Sequence, residues 1–329
     1  MNKIGIIGAG AWGTALAMAV GRAGRDVVLQ AHEPEVVEAI NSSHTNPIFL
    51  PGVTLDPAIH ATPDLAEAAD ADAVLVVAPA QHVRSICEKV APAWKSGVPA
   101  VICSKGIEMG TSAMMGEVVA EVLPDAPLAV LSGPTFAIEV AKESPTGVTL
   151  ACADQEIGQR LVDAIGTAKF RTYLSDDVMG AQLGGAVKNV LAIACGAVEG
   201  RGMGDNTRAM LLTRGLAEIV RLGIAKRARP ETLMGLSGIG DITLTCNAMH
   251  SRNFSLGVAL GKGETLESIM KSRKTVAEGV HTTAAVTALA KRLDVAMPLC
   301  ATVDQVLNHG ADIDEAISGL LARPLAHEN

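Results

Sequence analysis

Three glycines near the start of the chain have the spacing of a loop that binds a dinucleotide. Gly8, Gly10 and Gly13 form a Gly-x-Gly-x-x-Gly pattern between a strand-like run at Lys3–Ile7 and a helix-like run. In that context the first glycine permits a tight turn, the second lets the backbone approach a pyrophosphate, and the third lets the helix pack closely. Free N–H groups and the positive end of the helix dipole then attract the anion. The pattern predicts a dinucleotide site.

The end of the second strand bears on which nicotinamide cofactor is used. An acidic residue there would bind the ribose 2′-hydroxyl of NAD, but the chain reads Leu29-Gln30-Ala31 with no carboxylate. His32 could meet the 2′-phosphate of NADP, whereas Glu33 would repel it if it points the same way. These residues favour NADP over NAD and leave the use of both open.

Lys188 is the first candidate for acid–base chemistry. Its neighbours one helical turn away are Gly184, Gly185, Leu191 and Ala192, so the ammonium leaves from an uncharged face with space for a ligand. Burial disfavours the charged form of a lysine and moves its pKa toward the range of a general base. The alternative is a lysine that reaches solvent or pairs with a carboxylate. The residues alone leave both open.

Two further groups could act with Lys188. Lys105 follows a predicted strand, Ala100–Cys103, near the carboxyl edge of the sheet where ligands bind in open α/β folds, although an ordinary surface lysine would fit there too. Asp241 lies in a glycine-rich stretch whose backbone could approach a ligand. Its carboxylate would stabilise the ammonium form of Lys188 if the two are close, or it could cap a helix.

Ser251, Arg252 and Asn253 begin a predicted helix that runs to about Leu260 and is closed by Gly261. The N–H groups of its first turn and the guanidinium would converge on one spot, which is a way to build a phosphate site. A capping serine beside a solvated arginine explains the same residues. An anionic substrate would nevertheless need such a positive pocket, because the net charge of the protein is −8.

The elements that must position these residues fall into two halves. The first half alternates helical stretches with short, nearly all-apolar runs, which is typical of strands covered on both faces in a doubly wound, mainly parallel sheet. A loop-rich insertion is expected over 41–63, where four prolines occur. The predicted strands are Lys3–Ile7, Asp26–Gln30, Ala73–Ala78, Ala100–Cys103, Leu128–Leu131 and Gly147–Ala151.

After about Asp176 the pattern is helical. A helix over 177–198 is small and apolar on nearly all sides, and we expect it to be buried at the seam between two domains, 1–180 and 181–329. The next helix, over 206–227, is amphipathic, with Arg214 and Glu218 spaced to pair at i, i+4 on one face. Its apolar face carries Leu212, Leu216, Ile219, Val220 and Ile224. The expected fold is a Rossmann-type α/β domain followed by an all-α domain.

Composition excludes several classes of protein. The 329 residues include only two Trp, one Tyr and four Phe and carry a net charge of −8, which argues against a nucleic-acid binder. The six cysteines form no cluster, so reduced thiols and a cytoplasmic address are expected. The apolar run over 4–21 is too rich in glycine for a signal core, and no membrane insertion is expected. The scattered histidines predict no metal site.

Seven short motifs are spread over both halves of the chain. They are GAGAWGTALA (8–17), SKGIE (104–108), LSGPTFA (131–137), GGAVKNVLAIACG (184–196), TRGLAE (213–218), LSGIGDITLTC (236–246) and SRN (251–253). By these motifs, which occur in the family's order, the chain resembles bacterial NAD(P)-dependent glycerol-3-phosphate dehydrogenases from the first strand to about Pro298. Ala11 stands where relatives often carry serine, so only its backbone can contact phosphate, and Ala277 stands where valine is usual.

The resemblance implies roles for particular residues. Lys188 would be the proton donor and acceptor at the C2 oxygen of the substrate. Substrate contacts are implied for Lys105, Gly133, Thr135, Lys188, Asn189, Asp241, Thr245, Arg252 and Asn253. Cofactor contacts are implied for Gly8, Gly10, Ala11, Trp12, Gly13, His32, Lys105, Ala137, Arg252, Val276 and Glu278.

The expected activity is the interconversion of glycerone phosphate and sn-glycerol 3-phosphate with NAD(P)H, supplying phospholipid synthesis. The substrate would be a small phosphate ester, and the apolar helical half could supply a homodimer face. Two alternatives are a β-hydroxyacid dehydrogenase, which needs a carboxylate pocket, and a non-catalytic NAD(P) sensor. The sensor leaves Lys188, Lys105 and Arg252 without a role.

Overall fold

The apolar runs of the first half form strands that pair into one sheet in the computed structural model, which describes residues 1–272 and 278–324. The strands are β1 Lys3–Ile7, β2 Asp26–Gln30, β3 Thr45–Asn46, β4 Leu50–Thr54, β5 His60–Thr62, β6 Ala73–Val76, β7 Ala100–Ile102, β8 Leu128–Ser132, β9 Thr146–Cys152 and β10 Phe170–Ser175. The main sheet has the order β10-β9-β8-β7-β6-β1-β2-β5. All its neighbouring pairs are parallel except β8 and β9, which confirms a mainly parallel sheet.

Helices separate the strands and make up the second half. In the first half they are α1 Ala11–Arg22, α2 Pro34–Ser43, α3 Leu65–Ala69, α4 Val83–Val90, α5 Met115–Val122, α6 Ala137–Ala141 and α7 Gln155–Ile165. In the second half they are α8 Val178–Gly200, α9 Asp205–Ala225, α10 Pro230–Leu233, α11 Asp241–Thr245, α12 Arg252–Gly261, α13 Leu266–Ser272, α14 Glu278–Arg292, α15 Pro298–Asn308 and α16 Ile313–Leu321.

Both faces of the sheet are covered, as the continuous apolar strands predict. On one face Ile4 and Ile6 of β1 share a core with Leu16 of α1. On the other face Ile7 packs in a separate core with Ala68 of α3. Because β2 and β6 flank β1 on opposite sides, the strand order reverses at β1, and ligands of open α/β sheets bind at such a point.

Two parts of the sheet differ from the sequence prediction. The segment 41–63, expected to be a loop-rich insertion, contains a small antiparallel hairpin of β3 and β4, and its last strand, β5, extends the main sheet beside β2. β10 was not predicted, because it is an edge strand in which only Phe170 is buried and the other residues are exposed or partly buried. The other strands were predicted within one or two residues at each end, the usual uncertainty of element boundaries.

α8 is the central helix of the second half. It is long and apolar enough to cross a membrane, but nearly all of it is buried inside the protein, as in a core helix. It packs very closely against α12, because a Cβ atom at Gly196 would lie 2.1 Å from the carbonyl oxygen of Phe254, and one at Gly257 would lie 2.1 Å from that of Ile193. This contact sets α8 against the start of α12.

The predicted pair between Arg214 and Glu218 is wrong. Glu218 is buried, and its carboxylate accepts hydrogen bonds from the N–H groups of Leu299 and Cys300 at 2.7 and 3.1 Å. A carboxylate at this position stabilises the first turn of α15, where N–H groups lack helical partners. A tertiary contact therefore replaces the local i, i+4 pair, and Ile224, predicted on the apolar face of α9, is exposed.

Candidate active site

The glycine loop has the geometry that its spacing predicts. Gly8 has φ of +109°, and a Cβ there would lie 3.2 Å from the backbone of Val77 and Ala78. A Cβ at Gly13 would lie 1.8 Å from the carbonyl oxygen of Gly8, so no side chain fits. A Cβ at Gly10 would meet nothing within 4 Å. The loop is therefore closed on the protein side and open at Gly10, which fits a pyrophosphate.

Ala11 and Trp12 form the first turn of α1 directly after this loop. The cap residue is Gly10, so no side chain bonds the first N–H groups, and the first turn carries no acidic residue. The indole nitrogen of Trp12 is buried without a hydrogen-bond partner among the described residues. The start of α1 thus presents uncapped donors, as a helix that binds phosphate does.

His32 and Glu33 stand where the sequence placed them, just past the carboxyl end of β2. His32 is exposed, and Glu33 is the cap residue of α2 without a capping bond from its side chain. Both follow the strand beside β1, so they lie on the edge of the sheet that carries the glycine loop.

Lys188, Lys105, Asp241 and Thr245 form one hydrogen-bonded cluster. The Nζ atom of Lys188 donates to Oδ1 of Asp241 at 2.5 Å and to Oγ1 of Thr245 at 2.9 Å. The Nζ atom of Lys105 donates to Oδ2 of Asp241 at 2.6 Å and to the carbonyl oxygen of Gly133 at 3.0 Å. One carboxylate therefore holds two ammonium groups, one from each half of the chain.

Burial controls the chemistry of this cluster. Asp241 is 0% exposed and Lys188 is 6% exposed. Burial lowers the pKa of Lys188 to about 8, although Asp241 opposes this effect; the positive charge of Lys105 lowers it further. A lysine with this pKa exchanges its proton near neutral pH, which is the property required of a general acid or base.

The backbone around the cluster explains how these groups meet. Gly184 and Gly185, on the face of α8 that carries Lys188, leave no room for side chains, because a Cβ at Gly184 would lie 2.3 Å from the carbonyl oxygen of Ser237. Ser237 belongs to a short π-helical segment, Leu236–Gly240, that leads into α11. Gly240, not Asp241, is the cap residue of α11, so the carboxylate of Asp241 is left for the lysines.

The segment after β8 lies beside the cluster. The carbonyl oxygen of Gly133 accepts from Lys105 and, at 3.3 Å, from Oγ1 of Thr135. Ala137 begins α6 and is partly buried. A buried hydroxyl, that of Ser132, has no partner among the described residues and was missed in the sequence, since a serine ending an apolar strand gives no distinctive signal.

Asn189 and Asn253 join α8 to the start of α12. Nδ2 of Asn253 donates to Oδ1 of Asn189 at 2.9 Å, and Oδ1 of Asn253 accepts from the N–H group of Gly279 at 3.0 Å. Ser251 caps α12, accepting from the N–H group of Phe254 at 3.2 Å. Arg252, in the first turn of α12, is exposed. Ser251 therefore caps the helix, and the exposed Arg252 stands beside it in the first turn of α12.

Glu278 connects the two halves of the chain from the start of α14. Its Oε1 atom accepts from the N–H group of Ala80 at 3.4 Å, just after β6. Burial raises the pKa of Glu278, and the positive charge of Arg252 opposes this. Val276, the neighbouring cofactor candidate, lies outside the described residues, as does Ala277.

Within residues 1–272 and 278–324, no group of three or more His, Cys, Asp or Glu side chains is arranged to hold a metal ion. The six cysteines are free thiols, and all are buried.

A glycine loop at the switch point of a doubly wound sheet, together with a buried lysine on a helical second half, is typical of the class of nicotinamide-dependent dehydrogenases. Family models of the N-terminal and C-terminal parts of NAD-dependent glycerol-3-phosphate dehydrogenase match residues 3–158 and 177–318. The chain belongs to this family.

Relatives and solved structures agree with this assignment. The chain is 60% identical to glycerol-3-phosphate dehydrogenase [NAD(P)+] of Rhodospirillum rubrum, covering 100% of this chain and 94% of that protein. It is 55% identical to the enzyme of the same name from Parvibaculum lavamentivorans, covering 99% of this chain and 98% of the relative. The crystal structure of glycerol-3-phosphate dehydrogenase from Coxiella burnetii superimposes with a TM-score of 0.94 at 36% identity, covering 98% and 99% of the two chains.

Proposed function

We propose that this protein interconverts glycerone phosphate and sn-glycerol 3-phosphate with NAD(P)H, and that Lys188 is its acid–base residue. The observation that carries the proposal is the buried cluster in which Lys188 and Lys105 share Asp241. Such a cluster can bind and protonate a carbonyl oxygen without a metal ion.

Lys188 moves the proton. In the direction of reduction, the ammonium of Lys188 donates a proton from Nζ to the C2 oxygen of glycerone phosphate, and in the reverse direction the free amine removes it. A pKa of about 8 lets both forms exist near neutral pH. When bound, the nicotinamide supplies the hydride to C2 or accepts it from C2.

The neighbours of Lys188 orient the reacting end of the substrate. Asp241 holds Lys188 and Lys105 at 2.5 and 2.6 Å, so two donors converge around one position. Thr245, bonded to Lys188, and Asn189, the next residue on α8, supply further polar atoms. Gly133 and Thr135 form the edge of the site next to β8. A fixed constellation of this kind aligns C2 before transfer.

The start of α12 binds the phosphate. Its first turn offers N–H groups and the positive end of the helix dipole, Arg252 adds a guanidinium, and Asn253 is held in place by Asn189. Binding energy from this remote group positions C2.

The cofactor binds along the glycine loop. Gly8, Gly10 and Gly13, with the backbone of Ala11 and Trp12, hold the pyrophosphate, and His32 lies at the ribose end, where it favours NADP while NAD remains usable. At the nicotinamide end the contacts are Lys105, Ala137, Arg252 and Glu278, with Val276 a further candidate.

The proposal extends to the roles of the two domains, the use of the product and the assembly of the protein. Residues 1–180 form the cofactor domain and 181–329 the substrate domain. The product supplies phospholipid synthesis in the cytoplasm, and the helical half provides the face of a homodimer. The close resemblance over the whole chain to bacterial enzymes named glycerol-3-phosphate dehydrogenase [NAD(P)+] supports the role of the product in this proposal.

Arg252→Ala is expected to raise the KM for glycerone phosphate by about 10- to 100-fold, because a hydrogen bond to a charged group contributes about 1.5–3 kcal/mol. The measurement is steady-state kinetics at saturating NADPH. Lys262→Ala is the matched control, since Lys262 is an exposed cation at the opposite end of α12 and should leave KM unchanged. An unchanged KM in Arg252→Ala contradicts the phosphate role.

The first test of the function follows the absorbance of NADH or NADPH with purified protein and glycerone phosphate. Rapid oxidation with the phosphate ester, and little with unphosphorylated dihydroxyacetone, is expected. Parallel assays rank the two cofactors. Cofactor binding without oxidation would contradict the proposal, and oxidation with β-ketoacids in place of glycerone phosphate would indicate the hydroxyacid alternative.

A further inference from the structure

Asn46, in the small hairpin between α2 and β5, is bonded directly to the glycine loop. Its side chain is 0% exposed. Nδ2 donates to the carbonyl oxygen of Ala9 at 2.9 Å and to Oγ1 of Thr14 at 2.8 Å, while Oδ1 accepts from the N–H group of Phe49 at 3.1 Å. A buried amide with donors and acceptor all bonded fixes the position of what it contacts.

The contacted carbonyl lies between two glycines of the loop. Ala9 lies between Gly8 and Gly10, and glycines permit backbone rotation that other residues resist. A second donor, Oγ1 of Thr14, reaches the same carbonyl oxygen at 3.3 Å. The carbonyl of Ala9 is therefore held by two side chains, Asn46 and Thr14, which are also bonded to each other.

Holding this carbonyl also orients the next N–H group. A trans peptide is planar, with its C=O and N–H bonds pointing in opposite directions. Because the carbonyl of Ala9 faces Asn46 and Thr14, the N–H group of Gly10 lies on the opposite side of the peptide. Gly10 is the loop glycine at which a Cβ would meet nothing within 4 Å.

We propose that Asn46 is a positioning residue for cofactor binding: it fixes the peptide between Ala9 and Gly10 so that the Gly10 N–H group is presented to the pyrophosphate. This inference rests on the proposed function only in taking the glycine loop as the cofactor site. Asn46 itself does not contact the cofactor. Its effect is to remove the rotational freedom of the loop before binding, which improves affinity.

The test is the dissociation constant for NADPH, measured by fluorescence titration without substrate. Asn46→Ala is expected to raise it about tenfold, with kcat at saturating NADPH and the KM for glycerone phosphate changed less than twofold. Asn41→Ala is the matched control: Asn41 donates to the carbonyl of Ala61 at 2.8 Å and accepts from its N–H at 2.9 Å, tying α2 to β5 away from the glycine loop. It should leave NADPH affinity unchanged.

Thr14 provides a second route if Asn46→Ala does not fold. Thr14→Val removes the hydroxyl and should weaken NADPH binding, whereas Thr14→Ser should restore it. In the double variant Asn46→Ala/Thr14→Val, the loss of NADPH binding free energy should be smaller than the sum of the two single losses, because both side chains act on the Ala9 carbonyl. Unchanged NADPH affinity in Asn46→Ala, or an equal loss in Asn41→Ala, overturns the inference. A wild-type protein that binds NADPH but does not reduce glycerone phosphate overturns the proposed function alone.

Discussion

Lys188→Ala should reduce kcat for glycerone phosphate about 1,000-fold, because a positioned general acid or base contributes typically 10²–10⁴-fold. The affinity for NADPH should change less than twofold, since Lys188 is not among the proposed cofactor contacts and the glycine loop is left intact. The variant should fold, because Lys105 remains bonded to Asp241 and the carboxylate keeps a counter-charge. Stopped-flow or steady-state assays, together with NADPH titration, separate the two quantities.

Two further variants sharpen this experiment. Lys188→Met keeps an apolar stem of similar length and should be as inactive as the alanine variant, which excludes lost packing as the cause. Lys188→Arg keeps the positive charge but does not release a proton at ordinary pH, so it should fail in the direction of oxidation. Small primary amines added to Lys188→Ala should restore part of the activity. A near-normal kcat in Lys188→Ala would falsify the acid–base role.

Asp241→Asn is expected to have the second largest effect, because it should change both the pH dependence of the reaction and the stability of the protein. Asp241 raises the pKa of Lys188, so its removal should lower that pKa below the value of about 8. Reduction needs the ammonium form, so its rate should begin to decline at a lower pH than in the wild type. Oxidation needs the free amine, so its acid limb should also move to lower pH. The pH dependence of kcat/KM in both directions measures this shift.

The same variant should lose stability. The carboxylate of Asp241 is 0% exposed and holds two ammonium groups, and breaking a buried ion pair by removing one partner costs about 3–5 kcal/mol. Deprotonation of Lys188 offsets part of that cost. Denaturant unfolding measures the loss, and Asp176→Asn serves as a control because Asp176 pairs with Arg229 at the surface, where pairs contribute little. A wild-type pH profile in Asp241→Asn would mean that Asp241 does not control Lys188.

The elements with strong local signals were predictable. β1 and β2 match the sequence prediction residue for residue, because continuous apolar runs bounded by polar or glycine residues have one stable environment, the middle of a covered sheet. The glycine loop was equally predictable, since the φ of +109° at Gly8 and the close contact of Gly13 with the Gly8 carbonyl oxygen favour glycine, while Gly10 leaves its side of the loop open.

The elements with weak local signals were not predictable from the sequence. The hairpin of β3 and β4 contains only short strands, one of them with Pro51 and Gly52, two residue types that are depleted in strands. The sequence pattern therefore predicts a loop around Asn46. A buried asparagine next to a glycine loop leaves no periodic pattern in a sequence, because its partners, Ala9 and Thr14, are more than thirty residues away.

Glu218 shows how a tertiary contact overrides a local rule. The spacing to Arg214 favours an exposed pair worth a few tenths of a kcal/mol. The structure instead buries Glu218 against the N–H groups at the start of α15, where each hydrogen bond to a charge contributes more. No property of α9 alone distinguishes the two outcomes.

The class of fold, the glycine loop and the chemical types of the candidate site residues were predictable from the amino-acid sequence, because these depend on local sterics, periodicity and spacing. The burial of Lys188 against Asp241, rather than its exposure to solvent, follows from the tertiary packing. Lys188 and Asp241 are far apart in sequence, and their approach depends on Gly184 letting the π-helical segment contact α8. Burial, which sets the pKa of Lys188, is a property of the packed molecule and not of any segment.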